Sequence, residues 1–273
     1  MIQRRLGTGL NLSKMKSTIV LFLYLTCLNI FCAHNVYAQS VIIGLKGGIS
    51  IPNLTAPASA NNPLNTGYSS SLGPDFALYG EYKWKGDFSL ELAVEYSSQG
   101  GKKNGVQAVP VPPVLVPEFP TGQVPPYLWA NFDGEAKLNY LLIPVLAKYS
   151  FKISQGSPFH FYVEAGPFVG FVMSAKTTTS GSGNVYSDKE LMHPLLPQAI
   201  SFDATTDIKD QLHSANFGIE GNVGFVYGFG RNSIFVEAGG NYGFINIQKD
   251  PANGENHTGA ATVRLGFSHR MGH

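Results

Sequence analysis

Apolar and polar side chains alternate with a period of two over long stretches of the chain, the mark of strands whose two faces meet different surroundings. A first strand is expected over about 40–50, with Val41, Ile43, Leu45 and Ile49 on one face and Lys46 and Ser50 on the other. A second, about 76–84, sets Phe76, Leu78, Tyr82 and Trp84 against Glu81 and Lys83. A third, about 88–100, sets Phe88, Leu90, Leu92, Val94 and Tyr96 against Glu91 and Glu95. The fifth to eighth, about 159–174, 214–229, 233–246 and 259–270, repeat the pattern, with His160, Glu164, Asn216, Glu220, Asn222, Glu237, Asn241, Thr262, Arg264 and Arg270 on the polar face. In these seven strands no Asp, Glu, Lys or Arg falls on the apolar face. A Lys or Arg facing lipid at midplane costs ~2–4 kcal/mol, so strict exclusion is what a membrane-facing surface predicts.

The fourth strand, about 134–151, departs from this. Glu135, Lys137 and Asn139 share one parity, whereas Lys148 and Ser150 share the other, with Pro144 between them. Proline removes a ladder donor, so a bulge at Pro144 would reconcile the two halves. The alternative keeps Lys148 near the strand end, reaching back to the interface.

The connections alternate in length. Three are short, Lys85–Asp87, Lys152–Pro158 and Gly230–Asn232; four are long, roughly 51–75, 103–133, 176–212 and 248–258. Short turns at one end and long loops at the other are the habit of outer-membrane barrels, with the short turns periplasmic. Tyr82, Trp84, Phe88, Tyr149, Phe151, Phe159 and Phe229 flank the short turns and would form an interfacial girdle. Glycines inside strands, among them Gly44, Gly80, Gly166, Gly221 and Gly239, permit the sharp coiling of a small closed barrel.

Composition agrees with this reading. Charged residues make up 14% of the 273, against roughly 25% in typical soluble domains. The formal net charge of +1 leaves no footprint for nucleic acid. Residues 1–38 read as a signal peptide: Arg4, Arg5, Lys14 and Lys16 precede an apolar core from Thr18 to Cys32, and Val36-Tyr37-Ala38 places small residues for cleavage before Gln39. Met15 is an alternative start. Residues 39–273 then form one outer-membrane β-barrel domain. Both cysteines, Cys27 and Cys32, fall in the leader, so the mature chain would hold no disulfide, thiolate metal site or catalytic thiol.

Four segments carry a family resemblance: Gly44-Leu-Lys-Gly-Gly-Ile-Ser50, the run from Leu90 to Lys102, Leu138-Asn-Tyr-Leu-Leu-Ile-Pro-Val-Leu-Ala-Lys-Tyr149, and Tyr162-Val-Glu-Ala-Gly-Pro-Phe-Val-Gly170. Together they resemble the PorT-like outer-membrane β-barrel family across nearly the whole mature chain. The resemblance implies an eight-stranded barrel in a Gram-negative outer membrane, in a family whose name-giving member is linked to protein secretion. The chain departs from the family at its end, where Phe267 is the last aromatic and Met271 takes the terminal apolar position.

The chemistry expected is sparse. Lys46, Glu81, Lys83, Glu91, Glu95, Glu164, Glu220, Glu237, Arg264 and Arg270, with Lys148 if the bulge is real, face a lumen just wide enough for side chains to fill, where mixed charges should pair into a plug. An ion path is the functional alternative. His160 and Glu164 share the inward face with Ser268, but His269 points outward and no Ser, His and acid converge. The proline-rich, apolar 109–120 and 124–129 favour polyproline II and suggest either a partner surface or a stiff cover over the barrel mouth. Asp203–Asp210 lacks a calcium-loop pattern and reads as a solvated loop; Lys189–Leu196 is expected as a short helix.

The sequence thus predicts an all-β fold, an eight-stranded antiparallel up-and-down transmembrane β-barrel with both termini periplasmic, in the cell outer membrane. No catalytic, cofactor or metal residues are expected. The expected partners are outer-membrane lipids and another envelope protein through loops 103–133 and 176–212, with no nucleic acid. The expected role is a structural or interaction scaffold; alternatives are a subunit of a secretion or envelope-assembly complex, a lipid-modifying enzyme, and a soluble lipocalin-type barrel with the two faces exchanged.

Overall fold

Eight long strands pair antiparallel with their sequence neighbours, and the first closes onto the last. The computed structural model describes residues 41–56 and 62–271; the expected signal peptide and its two cysteines lie outside them. The strands are β1 (Val41–Thr55), β2 (Gly73–Lys85), β3 (Phe88–Val109), β4 (Leu128–Lys152), β5 (Phe159–Ser180), β6 (Ala215–Phe229), β7 (Asn232–Gly243) and β8 (His257–Met271). Closure runs from Val41 opposite Met271 to Thr55 opposite His257, so the described chain begins and ends at the rim that carries the short turns.

Two of those turns have only two residues between strands, Gly86-Asp87 and Gly230-Arg231. Their glycines sit at φ 62° and 65°, left-handed backbone that a side chain would strain. The third short connection, 153–158, joins β4 to β5.

The alternation resolves into greasy outside and charged inside. Leu78, Leu265, Trp84 and Val223 are 67%, 69%, 75% and 57% exposed, whereas Lys46, Glu91 and Arg264 are 3%, 0% and 1%. A lipocalin-type barrel would place these the other way round, so that alternative is excluded. The expected girdle also forms: Phe88 stacks edge-on to Tyr149 at 4.6 Å, Tyr149 to Phe151 at 4.6 Å, and Phe159 lies 5.0 Å from Tyr227.

Strand β4 requires a correction. Leu138, Tyr140, Leu142, Leu146, Lys148 and Ser150 all point inward on one uninterrupted parity, and β3–β4 pairing keeps one register on both sides of Pro144. No bulge occurs there, and Lys148 does not reach back to the interface; it is 5% exposed in the lumen. The irregularity lies instead between β4 and β5, where Asn139 pairs with Ser174 but Tyr140 with Val172, leaving Met173 as the extra residue. Glu135 and Lys137 share the outward parity without facing lipid because β4 has 25 residues and a tilted span needs about 9–11. The outer ends of β3, β4 and β5 project beyond the bilayer.

The second and third loops are thereby shortened to 110–127 and 181–214; the first runs 56–72, and the fourth, 244–256, is slightly longer than expected. Polyproline II is not continuous in the second loop: Pro113–Glu118 is a 3-10 helix, with Pro112 and Phe119 extended on either side. Lys189–Leu196 is not a helix. Leu191 has a φ of 58°, Pro194 follows, and the Asp188 carboxylate binds the backbone N–H groups of Met192 at 2.8 Å and His193 at 2.9 Å, a turn in place of a helical ladder. In the third loop Ala204–Asp207 pairs with Lys176–Thr179 of β5.

Candidate functional site

Among the described residues the buried charged side chains are three cations and seven carboxylates, all inside the barrel. Every strand supplies at least one. Lys46 of β1 reaches Glu91, Glu237 and Glu164 at 3.0, 3.2 and 3.3 Å. Lys148 of β4 meets Glu91 at short range, Glu164 at 3.0 Å and Glu81 at 3.2 Å. Arg264 of β8 is held by Asp75 at 2.6 Å, Glu95 at 2.8 Å, and Glu220 and Glu237 at 3.1 Å each. The Glu95 contact is an ion pair without hydrogen-bond alignment, and neither Glu95 oxygen accepts a hydrogen bond.

Acids outnumber cations, and neutral donors serve part of the surplus. The Tyr162 hydroxyl donates to Glu237 at 2.5 Å, Asn222 to Glu164 and Glu220 at 2.9 and 3.0 Å, and Ser97 to Asp75 at 2.8 Å. Lys148 also lies 4.4 Å from the Tyr162 ring centroid, within cation–π range.

The glycines have a second use beyond coiling. Tyr79, Tyr162, Phe168 and Phe235 point inward, each directly opposite a glycine on the neighbouring strand: Gly44, Gly224, Gly218 and Gly266. A Cβ at Gly224 would stand 2.2 Å from the Tyr162 ring, and one at Gly266 2.1 Å from Phe235. The rings therefore lie flat over bare backbone and close the narrow lumen. Two apolar clusters flank the ionic network, one around Tyr79, Tyr162, Val226 and Phe235, the other around Leu138, Tyr140, Leu142, Phe168 and Val172 and continuing to Leu212 and Ile247 under the outer loops.

The expected inward charges divide accordingly. Lys46, Glu81, Glu91, Glu95, Lys148, Glu164, Glu220, Glu237 and Arg264 converge in the plug. Lys83 and Arg270 do not join it; they line a cavity of about 560 Å³ at the short-turn mouth. Asp75 is the member sequence reasoning missed, having been counted in a loop; its fixed parity with Phe76 was the available signal.

Among the described residues no nucleophile–base pair assembles. Glu164 is engaged by Lys46, Lys148 and Asn222, and His160, also at the mouth, has no hydrogen bond to a serine or carboxylate among the described residues. His269 pairs with Asn232 at 2.8 Å. Among the described residues no group of three His, Cys, Asp or Glu side chains is placed to hold a metal ion; Asp203 is used by the Gly181 N–H and the Ser201 hydroxyl.

At the opposite mouth the loops are held by internal bonds. Asn65 and Asn256, both buried, link the first loop to the fourth at 2.6 Å. The Met192 and His193 N–H groups, with the His193 ring, lower the Asp188 carboxyl below its ordinary range. The Ser71 hydroxyl, with Lys137, does the same for Glu135.

A profile described as outer membrane protein beta-barrel domain matches residues 37–249. No curated protein matches the chain. Among solved structures, the chain is similar to Neisserial surface protein A (13% identity, 84% of this chain and 97% of that one, TM-score 0.38). It is also similar to Ail, the attachment invasion locus protein of Yersinia pestis (11%, 86% and 100%, 0.36), and to OprG from Pseudomonas aeruginosa (16%, 86% and 97%, 0.36).

Proposed function

The chain belongs to the outer membrane protein beta-barrel domain family, and from that premise we propose that it works as a non-catalytic scaffold, holding its outer loops rigidly above the membrane for another envelope component. Its place is the cell outer membrane. One observation carries the proposal: the lumen is filled from wall to wall by a shared ion network, while β3, β4 and β5 extend past the bilayer into an ordered crown. A filled lumen suits support better than transport, and among the described residues no nucleophile–base pair favours a lipid-modifying role. The second loop offers the contact surface, with Val116 and Val124 41% exposed on it.

Membership of a secretion or envelope-assembly complex of the PorT-like kind is the form of this scaffold role that the resemblance of the Leu138–Tyr149 and Tyr162–Gly170 segments favours. The test is photo-crosslinking in cells from positions 116 and 124, with probes at the lipid-facing positions 78 and 265 as blanks. A discrete protein adduct from the loop probes alone is expected; no adduct, or the same adduct from the lipid-facing probes, refutes the scaffold reading. Stepwise conductance in planar bilayers would refute the filled lumen.

A further inference from the structure

We infer that the periplasmic mouth of the barrel is an anion-binding site for a phosphate-bearing group, a role separate from that of the outer loops. Its cavity of about 560 Å³ is walled by Lys83, Arg231, Arg270, His160, Ser150 and Ser268. A recess of about 60 Å³ shares the Lys83, Ser150, His160, Ser268 and Arg270 walls and ends on Tyr79, Tyr162 and Phe235. The site is therefore a blind pocket, open to the periplasm and shut at its inner end by the plug.

The charge balance points to an anion. Two carboxylates border the pocket, and both are engaged: Asp87 lies 3.6 Å from Lys152, and Glu81 lies 3.2 Å from Lys148. Lys83, Arg231 and Arg270 have no ion pair among the described residues. This is the reverse of the plug above, where carboxylates outnumber cations.

The donor chemistry suits phosphate. Two guanidinium groups offer forked N–H pairs to its oxygens, and an ammonium adds a point charge. Ser150 of β4 and Ser268 of β8, each 8% exposed, line both cavities with hydroxyls that can donate. Cations gathered in a concave site with low-dielectric walls also focus the field on an entering anion.

A soluble phosphate and the headgroup of an inner-leaflet lipid share this chemistry, and the experiment separates them. The folded protein in neutral maltoside micelles is titrated with inorganic phosphate, with chloride at matched ionic strength as the blank, while the ring resonances of His160 are followed by NMR. The same signals are followed in bicelles with and without phosphatidylglycerol. Saturable shifts with phosphate assign a soluble ligand, and shifts with phosphatidylglycerol alone assign a headgroup; either supports the site.

The Lys83→Gln/Arg270→Gln variant should bind at least about tenfold more weakly, while Lys102→Gln/Lys137→Gln, with the same charge change at the far end, should bind as the parent does. Heat-dependent gel mobility confirms that each variant is folded. No response to either probe, a chloride response equal to that of phosphate, or undiminished binding by the mouth variant overturns the inference.

Discussion

Replacing Arg264 with methionine is the sharpest test of the plug. The guanidinium touches Asp75, Glu95, Glu220 and Glu237, and its side chain is wholly buried. Three of these acids keep other donors in the variant: Asp75 keeps Ser97, Glu220 keeps Asn222, and Glu237 keeps Lys46 and Tyr162. Glu95 keeps none. Breaking a buried pair by removing one partner costs about 3–5 kcal/mol, because a desolvated charge is left behind. Methionine fills much of the volume, so the loss should lie in that range without a large cavity term. Against a total stability of about 5–15 kcal/mol, Arg264→Met should move the urea midpoint in detergent far to the left. Adding Glu95→Gln removes the stranded charge and should recover ~1–2 kcal/mol of the loss. The control Lys137→Ala breaks a pair to Glu135 whose lysine side chain is 62% exposed, and should cost less than about 1 kcal/mol. If Arg264→Met unfolds within ~1 kcal/mol of the parent, or Glu95→Gln gives no recovery, the plug is not a mutually dependent network.

The outward face should reject charge: Leu78→Lys, on a side chain 67% exposed to lipid, should lose ~2–4 kcal/mol by urea unfolding in bilayers, and a neutral result would place that face outside the hydrocarbon. Gly224→Ala should lose ~1–3 kcal/mol, because a Cβ 2.2 Å from the Tyr162 ring displaces it and breaks the Glu237 hydrogen bond; an unshifted Tyr162 hydroxyl signal would refute the ring-on-glycine account. The third outer loop should loosen in acid. The Asp188 carboxyl is depressed by the bonds it accepts, so its contribution is complete above the ordinary aspartate pKa and is lost as pH falls through the depressed one. Amide exchange at Met192 and His193 should therefore accelerate in that acidic window and, in Asp188→Asn, should be faster at neutral pH already; pH-independent protection would remove the turn from this explanation.

Strand count, faces and turn positions were legible because the two sides of a membrane barrel punish the wrong side chain. What escaped had physical reasons. The parity of β4 misled because the outward-only rule holds within the bilayer, and Glu135 and Lys137 stand beyond it on the same face as Leu141 and Val145. Strand ends were set short for the same reason: nothing in the Lys102–Val109 or Leu128–Lys137 segments marks where lipid stops and water begins. The Tyr79–Gly44 and Tyr162–Gly224 pairs were invisible because a ring and its glycine lie on different strands, and only register unites them. The charges at the short-turn mouth could not be separated from those of the plug, since Lys83 and Arg270 share the inward parity of Glu81 and Arg264 and differ only in depth.

The cost of ten buried charges raises the question of why the lumen is not simply apolar. Backbone ladders tie each strand only to its two neighbours, and a strand slipped by one residue keeps its ladder while exchanging its faces. With greasy residues on both faces such a slip would carry little penalty. Here it would turn Glu91 and Glu95 of β3, or Arg264 of β8, toward lipid. The ion network adds ties that ladders cannot make: Lys46 links β1 across the lumen to β3, β5 and β7, Lys148 links β4 to β2, and Arg264 links β8 to β2, β3 and β6. Each cation is satisfied only when several strands hold their correct register together. Stability given up to desolvation is thus returned as a single permitted closure, and the Arg264→Met and Glu95→Gln pair measures how large that return is.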